Sequence, residues 1–294
     1  MPELPEVETV RIGLKRLLVG RDIAKVEHNW NKSFPNPKIE VDKYMINSKI
    51  IDVRRRAKIL MIDLTENYSL VIHLKMTGQL VFRGNEDFGA GHPTDSLVGK
   101  LPDKSTRVVI TFYDGSKLYF NDQRKFGWMR LMPTTEIKNI DFMKKVGPEP
   151  LDDNFTNTEF ISRLYKRKKS NIKAVLLDQT IIAGIGNIYA DESLFAAGIH
   201  PASIVNAIPA DRLKKLYISI KQILLLAIEK GGSTDRNYVN AEGKRGSYID
   251  IAKVFRKEKQ PCPKCNLAIT KIRVAGRGTH VCLSCQKLYL EANK

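Results

Sequence analysis

The chain has 294 residues, 43% hydrophobic and 28% charged, with 19 Gly and 13 Pro. That length exceeds an ordinary single domain, and the composition is that of a folded protein rather than a disordered one. Forty-nine Lys and Arg stand against 32 Asp and Glu, a net charge of +17. An excess of that size points to a polyanionic partner, most often nucleic acid, with a passive basic surface as the plainer alternative. The longest apolar run, 223–228, falls far short of the roughly 18 residues a bilayer span requires, so no membrane attachment is expected.

The opening MPELPEVETV carries carboxylates at positions 3, 6 and 8 and no apolar stretch. It matches neither a secretory signal nor a transit peptide, and a cytoplasmic protein is expected. Val7, Val10, Leu14, Leu17 and Leu18 recur at helical spacing before Gly20, which predicts a helix over 5–18. Strand-like runs follow at 49–53, 59–64, 69–74, 107–112 and 117–121, the last two joined through Asp114-Gly115, so this half reads as mainly β. The stretch 89–105 reads as an insertion without a derivable role.

Between 133 and 154 the pattern breaks, and Gly147-Pro148-Glu149-Pro150 continues neither a helix nor a central strand. An interdomain linker is therefore placed at 133–150, between domains at 1–132 and 151–258. In the second, Thr158 is placed to cap a helix. Leu213, Leu216, Tyr217, Ile220, Leu224, Ala227 and Ile228 line one face of another helix, which stops at Gly231-Gly232. The basic run 166–169 reads as a solvated or nonspecifically DNA-facing surface. Residues 233–257 are polar, Gly-containing and weakly periodic, which predicts a mobile loop of a length that is often functional.

The four cysteines fall as Cys262-Pro-Lys-Cys265, sixteen residues, then Cys282-Leu-Ser-Cys285. This is the two-knuckle spacing of a four-thiolate zinc site, and the cysteines define a small module at 259–294. Four thiolates leave no open position on the metal, so one structural Zn2+ is expected rather than a catalytic one. His280, beside the second knuckle, is expected to be a surface or hairpin residue. The intervening residues suit a β-hairpin in which Gly276 and Gly278 flank Arg277. Such a tip presents an arginine to phosphates, although composition alone allows an inert surface residue equally.

Three separated motifs, MPELPEVETVR at the start, AGIGNIYADE over 183–192 and VAGRGTHVC around the third cysteine, resemble formamidopyrimidine-DNA glycosylase, the bacterial family that removes oxidised purines. The resemblance implies an α+β multidomain chain. An N-terminal β-sandwich with flanking helices would be followed by a helix-two-turn-helix module and a β-hairpin zinc finger. Damaged double-stranded DNA would lie in a basic cleft, its lesion flipped into a pocket by a monomeric enzyme. The resemblance makes 233–257 the lesion-recognition loop.

Removal of Met1 leaves a secondary amine on Pro2, whose reference pKa near 8 keeps a useful fraction unprotonated at neutral pH. That amine is a nucleophile able to attack the deoxyribose C1′, although proline is also simply a common second residue. By resemblance Glu3 is the general acid and base and Glu6 supports it; both also suit a helix N-terminus. The resemblance further implies that Asn187 and Arg277 grip phosphates, that Lys58 and His73 contact the backbone, and that Lys173 takes part in recognising the base. Lys58 follows Arg56-Ala57 where the family has glycine before its lysine. Met76, Arg124 and Phe126 match the trio that fills the gap left by the flipped nucleotide; without the family, Met76 and Phe126 would be read as core. Three rival readings remain open: an endonuclease VIII-like enzyme for oxidised pyrimidines, a noncatalytic DNA-binding relative, and a zinc-ribbon transcription factor.

Overall fold

In the computed structural model, which describes residues 2–92, 94–233 and 248–290, the chain divides into two compact units. The first runs to Lys144 and takes in the described residues from Lys230 to Ser233; the second begins at Lys145 and resumes at Tyr248.

Helix α1 (Leu4–Leu18) starts on a capping box between Glu3 and Glu6, with Pro5 in the first turn, where a missing N–H leaves no bond unmade. It is followed by β1 (Ile23–His28), the short α2 (Lys38–Tyr44), β2 (Ile50–Arg56), β3 (Ile59–Leu64), β4 (Tyr68–His73), β5 (Gly78–Arg83), β6 (Phe88–Gly91), β7 (Thr106–Phe112), β8 (Lys117–Asp122) and β9 (Trp128–Pro133). The strands pair antiparallel into a five-stranded sheet, β1-β7-β8-β5-β6, and a four-stranded sheet, β2-β3-β4-β9. Leu60, Ile62, Leu70 and Ile72 of one sheet share a buried core with Phe82, Ile110, Phe112 and Phe120 of the other. The apolar stripe of α1, from Val7 through Leu18, joins the same core. This is the expected β-sandwich, held by inward residues at strand spacing.

Two expectations change here. The stretch 89–105 is not a passive insertion: it begins in edge strand β6 and returns through a 3-10 turn, so that Leu97 is buried with Val81 and Tyr119 on the outer face of the larger sheet. The first half of the expected linker is also structured. A 3-10 turn at Thr134–Asn139 and helix α3 (Asp141–Lys145) bring Ile137, Phe142 and Met143 over Ile59, Met61 and Val71. Those strand residues point away from the main core, and the segment removes their apolar surface from water.

The second unit holds α4 (Asn157–Tyr165), α5 (Ile172–Leu177), α6 (Asn187–Ala197), α7 (Ala210–Glu229), α8 (Tyr248–Ile251) and the hairpin of β10 (Thr270–Val274) and β11 (Arg277–Val281). Leu176, Tyr189, Leu194, Leu213, Leu216, Ile220 and Leu224 form its core. The cap of α4 is Thr156, whose side chain accepts from Glu159 N–H, and not Thr158. Only Thr156 stands three residues before a glutamate, the spacing of a capping box. Gly231 and Gly232 both have left-handed φ after α7, as a helix stop requires.

Of the loop expected at 233–257, residues 234–247 lie outside the described residues, and the rest is ordered around a carboxylate. Glu192, buried in α6, accepts from the backbone N–H of Lys253, Val254 and Phe255 at 2.8–3.1 Å and from the Tyr248 hydroxyl at 3.2 Å. The acceptor comes from another element, so local polarity alone makes this stretch look like loop.

Candidate active site

In the first unit, Pro2, Glu3 and Glu6 are all buried at the head of α1. Glu6 is held at both oxygens: Oε2 accepts from Glu3 N–H and Oε1 from Ser233 N–H, each at 2.7 Å. Gly232, with φ +83°, is pressed against this carboxylate; a Cβ there would stand 3.0 Å from Glu6 Oε1 and 3.1 Å from its Cγ. The N-terminal end of α1 is thereby fastened to the start of the segment expected to read the lesion.

Lys58 lies largely buried behind Ala57, which adopts φ +53° at the β2–β3 turn. The backbone there is left-handed, a conformation that glycine adopts freely and that leaves alanine mildly strained. His73, at the end of β4, accepts from Lys75 N–H through Nδ1 at 2.9 Å. Burial, aided by the nearby cations Lys75 and Lys58, pushes its imidazole down to about 3. The ring is therefore neutral, with Nε2 as its remaining donor.

Met76 and Phe126 are 42% and 54% exposed, so neither is a core residue. Arg124 joins them: Nη1 lies 3.2 Å from Met76 Sδ, and the guanidinium stacks 4.9 Å from the Phe126 ring centroid. The group that builds this cluster leaves no local signal in the sequence. Asp122, fully buried, accepts from Gly127 N–H at 2.6 Å, from Arg124 N–H at 3.2 Å and from the Thr77 hydroxyl. One carboxylate thus shapes the loop bearing Arg124 and Phe126 and ties it to the residue after Met76.

In the second unit, a two-residue turn with Ala275 and Gly276 at positive φ leaves Arg277 exposed beside the hairpin tip. Asn187 opens α6, at the positive end of the helix dipole, and donates through Nδ2 to Gly278 O at 3.0 Å. Lys173 departs from expectation. Its side chain is 0% exposed, and Nζ donates to Asp191 Oδ1 at 2.6 Å, Thr279 Oγ1 at 2.7 Å and Gly278 O at 3.3 Å. A buried ammonium must be matched by acceptors, and with three already engaged Lys173 is a residue beneath the hairpin rather than a direct contact to a base. His280 is the expected hairpin residue, in β11, but not a surface one: it is buried, with Nε2 2.9 Å from Glu258 Oε2.

The sulfurs of Cys262, Cys265, Cys282 and Cys285 all lie within 4.8 Å of one another. A tetrahedral zinc with Zn–S near 2.3 Å spaces its sulfurs about 3.8 Å apart. The observed 3.9 Å between Cys262 and Cys285 and 3.5 Å between Cys265 and Cys282 fit one ion. The module's own core is small, Cys262, Ile269 and Cys282 packing with Phe195 and Val254, so the metal is structural and fills every position with thiolate. Among the described residues this is the one cluster suited to a metal, and no helix is long and apolar enough to cross a membrane.

Residues 1–129 match the formamidopyrimidine-DNA glycosylase N-terminal domain, 146–238 the H2TH domain of the same proteins, and 259–288 the zinc finger found in these proteins and in IleRS. The formamidopyrimidine-DNA glycosylases of Lactobacillus acidophilus and Pelotomaculum thermopropionicum are 41% and 39% identical, each alignment covering 98% of this chain and 100% of the relative. Among solved structures, the Lactococcus lactis protein in complex with abasic-site DNA superposes with a TM-score of 0.85 at 34% identity, over 97% of this chain and 99% of that one. The Thermus thermophilus protein gives 0.82 at 34% identity, over 97% and 98%. With all three domains matched in order along almost its whole length, the chain belongs to the formamidopyrimidine-DNA glycosylase family.

Proposed function

We propose that this protein excises oxidised purines, including 8-oxoguanine and formamidopyrimidines, from double-stranded DNA and then cleaves the strand, acting as a monomer in the bacterial cytoplasm. The observation that carries this reading is the pair of buried carboxylates, Glu3 and Glu6, around the N-terminal proline. It is supported by solved relatives bound to DNA that contains Fapy-dG or an abasic site.

Once Met1 is removed, the lone pair of the Pro2 nitrogen attacks C1′ and the base departs with its bonding pair, taking up a proton. The Pro2 N–H proton is lost, the ring C1′–O4′ bond opens onto a proton delivered by Glu3, and an iminium joins C1′ to proline. The iminium acidifies the C2′ hydrogen, so removal of that proton expels the 3′ phosphate, and a second elimination expels the 5′ phosphate. Glu6 acts by holding the Glu3 backbone in place. Met76, Phe126 and Arg124 fill the space left by the flipped nucleotide, two exposed apolar groups replacing lost stacking and the guanidinium facing the orphaned base. Lys58, neutral His73, Asn187 and Arg277 hold phosphates.

Borohydride reduction during turnover should trap a covalent complex whose mass and fragmentation place the link on Pro2, and Pro2→Gly should lose it. A link at another residue, or undiminished trapping in Pro2→Gly, would overturn the assignment. Relative incision of duplexes carrying single defined lesions separates this activity from an oxidised-pyrimidine preference.

A further inference from the structure

Arg277 projects from a two-stranded hairpin with five residue pairs, a structure that is marginal in water by itself. Something outside the hairpin must therefore fix the position of its tip. We propose that the buried Lys173–Asp191 ion pair sets the phosphate grip by locking β11, the strand that begins with Arg277, onto α6, the helix that begins with Asn187. The inference rests on the reading that Arg277 and Asn187 hold phosphates.

Three successive residues of β11 are caught by this pair. Lys173 Nζ donates to the Gly278 carbonyl and the Thr279 hydroxyl, and Asp191 Oδ2 accepts from His280 N–H at 2.9 Å. Gly278 follows Arg277 in the chain, and its carbonyl also accepts from Asn187 Nδ2. Asn187 thus grips a carbonyl of the residue next to Arg277, and Lys173 is a second donor that pins that carbonyl from below. Lys173 and Asp191 are each fully buried. A buried ion pair adds little net stability over an apolar pair of similar volume, whereas it fixes geometry through directed bonds. Lys173 is a positioning residue here, not a catalytic one.

The test uses the full-length zinc-loaded protein and affinity for an abasic-analogue duplex measured over a series of salt concentrations. Removing one phosphate-binding side chain lowers the slope of log K against log salt by about one. Arg277→Ala should lower the slope by that amount. The paired substitution Lys173→Met with Asp191→Leu should do the same while keeping one zinc per chain and the wild-type melting temperature within a few degrees. Adding Arg277→Ala to the pair should lower it no further, since linked residues are not additive. Asp191→Asn, which keeps shape and the His280 acceptor, covers a failure of the apolar pair to fold: it should weaken binding about fivefold, with single-turnover excision at saturating enzyme unchanged. A wild-type slope in the apolar pair, or wild-type affinity in Asp191→Asn, overturns the clamp. A wild-type slope in Arg277→Ala overturns the phosphate reading beneath it and the clamp with it.

Discussion

Gly232→Ala tests whether the segment after α7 controls the carboxylates at the head of α1. Gly232 has φ +83°, and an L-residue in the left-handed region costs about 1–2 kcal/mol. The added Cβ would also stand 3.0 Å from Glu6 Oε1, 3.1 Å from Cγ and 3.3 Å from Cα. The Cα is fixed in α1, so the side chain must swing, and its bonds to Glu3 N–H and Ser233 N–H lengthen together. Misaligning one hydrogen bond to a charged group costs about 1.5–3 kcal/mol. At about 1.4 kcal/mol per tenfold, single-turnover excision should slow roughly ten- to a hundredfold. Gly20→Ala is the matched control, because Gly20 has φ +90° and a methyl group added there would meet nothing within 4 Å. Both variants should lose stability in urea denaturation, Gly232→Ala the more, and only Gly232→Ala should lose rate when excision is followed on a lesion-bearing duplex at saturating enzyme. Equal rates for the two variants would refute the coupling.

The exposed Phe126 ring has little to lose on truncation in the free protein, so Phe126→Ala should keep stability within about 0.5 kcal/mol. It should still slow base extrusion, seen by a fluorescent base analogue beside the lesion; an unchanged extrusion rate would remove the wedge. Stripping the zinc with a chelator should abolish DNA binding in step with metal release, because the module's core is too small to hold β10 and β11 without it. Binding that survives stoichiometric release would contradict this. His73, with its imidazole down at about 3, should show no titration between pH 5 and 8 by NMR. In the window from about 6.5 down to 3 the unfolded chain takes up a proton that the folded one refuses. Stability relative to His73→Gln should therefore fall as pH drops through that window and be level above it. A His73 midpoint near 6.5 would refute the assignment.

Much of the site is legible because its chemistry is written in short, contiguous strings. Pro2, Glu3 and Glu6 fall within five residues at the head of α1, and the cysteine spacing announces a metal without any knowledge of the fold. Met76 and Phe126 read as an exposed wedge only through family likeness, since an apolar residue between strands looks like core until its exposure is known. The resemblance puts Lys173 at the base, and His280 is expected at the surface or in the hairpin; His280 is in the hairpin, and both side chains are buried, bonded to the carboxylates Asp191 and Glu258.

Strand and helix periodicity, the charge excess and the thiolate site are properties of local sequence, fixed by side-chain chemistry and spacing. The ordering of 248–257 around Glu192, the shaping of the Arg124–Phe126 loop by Asp122, the closeness of Gly232 to Glu6 and the pinning of β11 by Lys173 depend on tertiary structure. In each of them except the Asp122 turn, whose N–H donors are local, a buried polar group finds its partner across many residues of chain. A carboxylate with no nearby donor is an ordinary surface residue in the sequence, and desolvation within the fold is what makes its directed bonds decisive.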